Sequence, residues 1–171
     1  MSYTLQSLSY EQLQALAASQ VPTEFAARAA PGALPPYFVA ARALKLLDDG
    51  QSVFWCSSFI IVRTSDQRIV GGCGFKSTPQ NGRVEIGYGI AAEHRRQGIA
   101  SAAVNALLEL AFHHGAIEVL AEILPDNIAS IATVKKAGFR DIGSRIAEDN
   151  ETVIQWIATH AAKISPDPDH D

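Results

Sequence analysis

Between residues 95 and 100 the chain reads Arg-Arg-Gln-Gly-Ile-Ala, the stretch with the clearest chemistry. Two guanidinium groups stand beside a glycine, just ahead of a helical pattern. Ile99, Ala103, Ala106, Leu107, Leu110 and His114 recur every three or four residues, with no proline among them. Gly115 sits where a helix end favours a left-handed residue. A helix start leaves about four backbone N–H groups without partners. The helix dipole adds partial positive charge at the same place. Gly98 has no Cβ, so an anion can come close to the backbone. The chemistry this predicts is phosphate binding. Just upstream, Val84, Ile86, Tyr88 and Ile90 alternate with Glu85, Gly87 and Gly89. That alternation predicts a strand with one apolar face.

A second polar group follows: Asn127-Ile128-Ala129-Ser130, then Lys136-Ala137-Gly138-Phe139. Gly87-x-Gly89-x-x-Ala92 matches the degenerate dinucleotide fingerprint in its letters. In that fold the helix opens inside the motif, whereas here Glu93 to Gln97 intervene before the helical pattern begins. No G-x-x-x-x-G-K-S/T occurs, which argues against a nucleotide P-loop. Taken together, Arg95-x-x-Gly98-x-Ala100 and Asn127-x-x-Ser130 with Gly138-Phe139 resemble, in order, the signatures of the GCN5-related N-acetyltransferase (GNAT) superfamily. The Asn-x-x-Ser form is similar to the branch that includes ribosomal-protein N-terminal acetyltransferases. The resembling region runs from about Arg83 to Gly143, over a third of the chain.

The resemblance implies acyl transfer from the thioester of acetyl-coenzyme A to an amine. It implies that Arg95 and the backbone of Arg96, Gln97, Gly98, Ile99 and Ala100 hold the pyrophosphate. Backbone groups of Tyr88, Gly89 and Ile90 would pair with the pantetheine arm and polarise the carbonyl, and Asn127 and Ser130 would face the arm and sulfur. It also implies that the strand at Val84–Ile90 and one at Ile117–Ile123 splay apart around the arm. Many relatives place a tyrosine four residues after the serine, as the acid for the departing thiolate. This chain has Val134 there, which leaves Ser130, a water or no acid at all in that role. The expected base is Glu85, on the face shared with the small residues Gly87 and Gly89, with a structural ion pair as its competing role. Glu122 is a second, weaker carboxylate. The missing tyrosine also motivates an alternative, a non-catalytic acyl-coenzyme A-binding module.

The acceptor is narrowed by proton energetics. Deprotonating a Lys side chain at pH 7 costs roughly 4–5 kcal/mol, whereas an α-amine costs only about 1 kcal/mol. A site without the tyrosine acid is better matched to the α-amine. The expected partner is therefore an amine acceptor, either a peptide N-terminus or a small molecule such as a polyamine, amino acid or antibiotic.

Composition sets the outer limits. At 171 residues with 47% hydrophobic content, one domain with a real core is expected. Fourteen Lys and Arg against eighteen Asp and Glu give a net charge of −4, which argues against a nucleic-acid partner. No apolar run reaches the roughly 20 residues of a membrane span. None of the five histidines forms an i,i+4 pair, so no metal is expected. Cys56 and Cys73 lie inside apolar runs; with no signal peptide, they point to a reducing cytoplasm, and their pairing stays open. A monomer and a homodimer are both compatible with the sequence.

The elements that must position these residues follow from pattern. Tyr3–Leu8 predicts a strand. Ser9 with Gln12 predicts a capped helix running to about Ser19. Prolines at 22, 31, 35 and 36 leave room for a short helix at Thr23–Ala29, and a second helix runs over Tyr37–Leu47. The resemblance implies that this region, between the first two strands, lines the acceptor side of the cleft. Val53–Arg63 and Arg68–Lys76 predict a hairpin, with Gly71, Gly72 and Gly74 marking a bulge or close packing. A strand at Ile117–Ile123 and a helix capped by Asp126 or Asn127, with its face at Ile128, Ile131 and Val134, come next. Phe139–Ile146 and Thr152–Ala158 close a final hairpin. The expected fold is α/β: a single GNAT-like domain over residues 1–164, with a central mixed, mostly antiparallel sheet of about seven strands flanked by about four helices. A Pro/Asp-rich tail at 165–171 is expected to fray.

Overall fold

Local sequence rules account for most elements of the computed structural model, which describes residues 1–160. Ser9 Oγ accepts the Gln12 amide and Gln12 Oε1 accepts the Ser9 amide, a closed capping box on α1 (Tyr10–Ala17). Pro36 stands directly before α2 (Tyr37–Asp48), and Gly50, at φ 78°, turns the chain away after it. The strands are β1 (Tyr3–Ser7), β2 (Ser58–Arg63), β3 (Ile69–Phe75), β4 (Arg83–Ile90), β5 (Glu118–Ile123), β6 (Arg140–Ile146) and β7 (Thr152–Thr159). Two further helices are α3 (Ile99–His113) and α4 (Ile128–Lys136).

The strands form one seven-stranded sheet in the order β1-β2-β3-β4-β5-β7-β6. Every neighbouring pair is antiparallel except β4 and β5. Alternation along β2 shows how the two faces are used. Phe59 and Ile61 join the main core with Val104, Leu107, Leu108 and Ala111 of α3. Ile60 and Val62 join Phe25, Ala30 and Ala33 from the proline-rich segment. Leu13 and Leu16 of α1 pack with Ala40 and Ala43 of α2. Burying one such large side chain contributes about 1.5–3 kcal/mol.

Four expectations change. The helix expected at Thr23–Ala29 is a series of turns, and Ala29 bridges Ile69. Its backbone groups are used otherwise: the Ile69 amide donates to the Arg28 carbonyl and the Ala30 amide to the Ile69 carbonyl. The strand expected from Val53 begins only at Ser58, because the Cys56 amide bonds back to the Ser52 carbonyl in a turn. The aromatic residues there signalled burial, not extension: Phe54 stacks on His114 at 3.5 Å between centroids, and Trp55 packs edge-on to Phe75. In α4 the inward face is Ile131 and Val134, while Ile128 is exposed. In α3 the buried stripe is Ala103, Val104, Leu107, Leu108 and Ala111, so Ala106 and Leu110 sit at its margin.

Cys56 and Cys73 are both free, buried thiols. Among the described residues no helix is long and apolar enough to cross a membrane. No group of three or more His, Cys, Asp and Glu is placed to hold a metal ion among them either. The domain limit at 164 and the tail at 165–171 lie outside the described residues.

Candidate active site

The site is built on β4, which pairs with β3 from Ile86 to Ile90. On its other side it pairs with β5 only through Arg83, Val84 and Glu85, opposite Glu118, Val119 and Leu120. Beyond Glu85 the two strands part, and β5 continues with β7 alone. The parting opens a cleft of about 740 Å³. One wall is Ile86–Ile90 and another is Ala121–Leu124, with Asn127 and Ser130 at the start of α4. Pro35, Phe38 and Arg42, from the segment between β1 and β2, line the cleft as well.

Two sets of glycines shape this cleft in opposite ways. A Cβ on Gly71 would lie 2.5 Å from the Gly89 carbonyl oxygen, and one on Gly74 would lie 2.7 Å from the Ser57 oxygen. These glycines let strands approach, which is the close packing expected of them. A Cβ on Gly89 or Gly98 would meet nothing within 4 Å. Those two glycines border open space.

The loop after β4 leads through a short 3-10 turn at Ala92–His94 to Gly98, the N-cap of α3, at φ 77°. Arg96 is also left-handed, at φ 60°. No side chain caps α3, so the amides of its first turn are open to a ligand. Arg95, Arg96, Gln97 and Gly98 are exposed, while Ile99 is buried and anchors the helix start; Ala100 is half-buried. Arg95 Nε donates to the Ile90 carbonyl at 3.3 Å, which ties this loop to the end of β4. The N-terminus of a long helix, two arginines and an unblocked glycine together suit a phosphorylated group.

The second polar group adjoins the first. Asn127 caps α4, its Oδ1 accepting the Ser130 amide at 3.2 Å. The Tyr88 hydroxyl donates to the Ser130 carbonyl at 3.4 Å, so its phenol spans the gap between β4 and α4. Burial pushes the Tyr88 phenol above its ordinary range. That phenol contact is not legible in the sequence, which assigned Tyr88 through its backbone. Val134 is wholly buried beneath α4.

The carboxylates are engaged. Glu85 forms an ion pair with Lys76, and it is Lys76, not Glu85, that lines the cleft. Glu122 accepts from Arg145 Nε at 2.6 Å, from the second Arg145 nitrogen at 2.7 Å and from Gln155 Nε2 at 3.0 Å. Burial pushes the Glu122 carboxyl up, but these hydrogen bonds and the Arg145 charge outweigh it, so the net shift is downward. Burial pushes the Cys73 thiol up to about 12. Arg42 is half-buried on the cleft wall and makes no hydrogen bond or ion pair among the described residues. Neither it nor Lys76 stands out in the sequence, because only the folded chain brings α2 and the end of β3 to the cleft that β4 borders.

A sequence model of the acetyltransferase (GNAT) domain family matches residues 5–140. The chain is 35% identical over 106 residues to an uncharacterized N-acetyltransferase, YjdG, of Bacillus subtilis (strain 168). That match takes in 61% of this chain and spans about 60% of the relative's length. A solved chimera of the spermidine N-acetyltransferase SpeG from Vibrio cholerae and hSSAT superposes with a TM-score of 0.70 at 15% identity, covering 97% of this chain and 100% of that one. The aminoglycoside acetyltransferase AAC(6')-Ib, solved with paromomycin and acetyl-coenzyme A, superposes with a TM-score of 0.69 at 18% identity, covering 99% and 100%. At such identities the two structures speak for the fold alone.

Proposed function

The chain belongs to the acetyltransferase (GNAT) domain family, and from that premise we propose that it is an acetyl-coenzyme A-dependent N-acetyltransferase acting on a primary amine. The observation that carries this reading is the parting of β4 and β5 beyond Glu85, which leaves a free strand edge leading to the uncapped start of α3. An extended ligand adds to such an edge by backbone hydrogen bonds, and its phosphates meet the helix N-terminus. Arg96, Gln97, Gly98, Ile99 and Ala100 hold the pyrophosphate, with Arg95 beside them. Tyr88, Gly89 and Ile90 orient the arm along β4. When bound, acetyl-coenzyme A supplies the activated acyl thioester.

The remaining chemistry is a proton problem. The amine must attack as the neutral base, and the departing sulfur needs a donor or tolerance of its charge. Ser130, on the cleft wall, is the hydroxyl assigned to that sulfur. The Tyr88 hydroxyl is committed to the Ser130 carbonyl. A covalent acyl-cysteine route is disfavoured, because a thiol pushed to about 12 is almost wholly protonated near pH 7. Transfer is then direct.

Glu85 would have to release Lys76 to serve as a base, and Glu122 would have to release Arg145. With both carboxylates engaged, an acceptor that needs little deprotonation is favoured. An α-amine meets that condition at about 1 kcal/mol, against roughly 4–5 kcal/mol for a lysine side chain. The proposed acceptor is therefore an α-amine, best matched at a peptide N-terminus because the amine of a free amino acid is more basic and costs more to deprotonate.

The test is thiol release from acetyl-coenzyme A with two pools of acceptor. One pool holds short peptides with free Ser, Ala or Thr N-termini and free amino acids. The other holds spermidine and aminoglycosides. Release confined to the first pool is expected. Release only with the second would overturn the α-amine assignment, and tight coenzyme binding without release under any acceptor would make the chain a binding module.

A further inference from the structure

Three cations, Arg42, Lys76 and Arg95, and one carboxylate, Glu122, line the cleft, and Arg95 is the one assigned to the coenzyme phosphates. Lys76 takes Glu85, and Arg145 takes Glu122, which also accepts from Gln155. Arg42, on α2, is left over. It lines the cleft, is half-buried and makes no hydrogen bond or ion pair among the described residues. The field of Glu85 reaches it and favours its charge, but desolvation is the larger influence and acts against the charged form. An arginine never sheds its proton in such a setting, so it persists as a desolvated cation wanting an acceptor. A guanidinium fork matches a carboxylate in shape as well as charge.

We propose that the amine acceptor carries a carboxylate, and that Arg42 binds it. This rests on the N-acetyltransferase reading and narrows it to one class of acceptor. The surroundings fit a short apolar body joining the two ends of such a molecule. Phe38 lies one helical turn before Arg42, is 57% exposed and lines the cleft beside Pro35. Across from them Gly89 leaves the β4 wall low, and the Lys76 side chain lies over Gly87. The same census disfavours polycations. A polyamine or aminoglycoside needs free carboxylates, and among the described residues each carboxylate in this network already has its cation. The carboxylate could be the terminus of an amino acid or an acidic side chain near a peptide N-terminus; the chemistry at Arg42 is shared.

The experiment compares matched pairs that differ only in that charge. Calorimetry on the coenzyme A-saturated protein measures binding of N-acetyl-leucine against N-acetyl-leucinamide, and of N-acetyl-Ser-Glu-amide against N-acetyl-Ser-Gln-amide. Initial rates are measured with leucine, leucinamide, Ser-Glu-amide, Ser-Gln-amide and spermidine. A preference of about tenfold or more for the anion is expected in at least one pair, the size usual for a charge-assisted hydrogen bond. Which pair shows it identifies the source of the carboxylate. In Arg42→Gln the preference should fall to near unity, in KM more than kcat, and Arg42→Lys should restore part of it. Melting curves and acetyl-coenzyme A affinity of both variants should match the parent, which separates a local loss from misfolding. Equal binding of anion and amide in both pairs, a preference that survives Arg42→Gln, or spermidine as the best acceptor would each overturn the proposal. Product discrimination without thiol release from any amine would instead remove the enzymatic reading and leave the Arg42 site standing.

Discussion

At the scale of single residues, the cleft is governed by which charges are already satisfied. Glu85 was expected as a base from its place on the Gly87 and Gly89 face, and that placement holds, but its carboxylate is engaged by Lys76. Glu122 shows the same logic with a consequence for stability. Its folded pKa is depressed, so its stabilising contribution is present above the ordinary carboxylate value of 4.5 and is lost as the pH falls through that range. Glu122→Gln should therefore lower the melting temperature near pH 7, and the gap from the parent should narrow as the pH falls below 4.5 and close once the pH is below the depressed folded value, where the carboxylate is protonated in both states. A gap independent of pH would mean that the loss is one of packing. Residues that act through backbone, such as Gly98, depend on conformation instead. At φ 77° an L side chain is strained by about 1–2 kcal/mol, which is why a glycine stands there.

At the scale of elements, glycines on β3 and β4 divide their duties. Gly71→Ala would drive a Cβ into the Gly89 carbonyl oxygen at 2.5 Å, backbone against backbone. Overpacking of that kind costs about 1–3 kcal/mol, so a matching loss of unfolding free energy is expected. Gly89→Ala meets nothing within 4 Å and has an ordinary backbone conformation. Its stability should stay within about 0.5 kcal/mol of the parent, while kcat/KM for the acceptor falls because the methyl occupies the cleft. Denaturant melts and steady-state kinetics on the pair check both halves. A stability loss in Gly89→Ala would mean that the β4 wall is not open space. α4 makes a related point: Asn127, as its cap, accepts the Ser130 amide, and Tyr88 from β4 donates to the Ser130 carbonyl, so a local and a distant hydrogen bond both hold Ser130 at the cleft.

At the scale of the whole molecule, two half-sheets are joined by three parallel residue pairs. So short a seam is weak by itself, and α3 reinforces it by packing against β3 and β4 on one side and β5 on the other. Leu107 is fully buried in that packing. Leu107→Ala should cost about 2–5 kcal/mol. Because the seam sets the cleft, coenzyme A affinity should weaken in the variant even though Leu107 does not line the site. Calorimetry below the melting transition checks this, and unchanged affinity would show that the seam holds without α3.

What the sequence determined by itself is what depends on neighbours in the chain. The Ser9–Gln12 capping box, the strand of alternating residues at 84–90, the glycine at the start of α3 and the Asn127 cap are all set by spacing and local hydrogen bonding. The two signatures on those elements pointed to the family that the domain model matches. Where aromatic content at 53–57 suggested a strand, the sequence spoke of burial without saying against what. Tertiary structure decided that Phe54 stacks on His114, that Glu85 meets Lys76 and that Tyr88 reaches Ser130. It alone left Arg42 on the cleft wall without a partner among the described residues. The reason is physical: a cap or an alternation is fixed by residues a few positions apart, whereas the pairing of charges depends on which distant elements the sheet brings to one cleft.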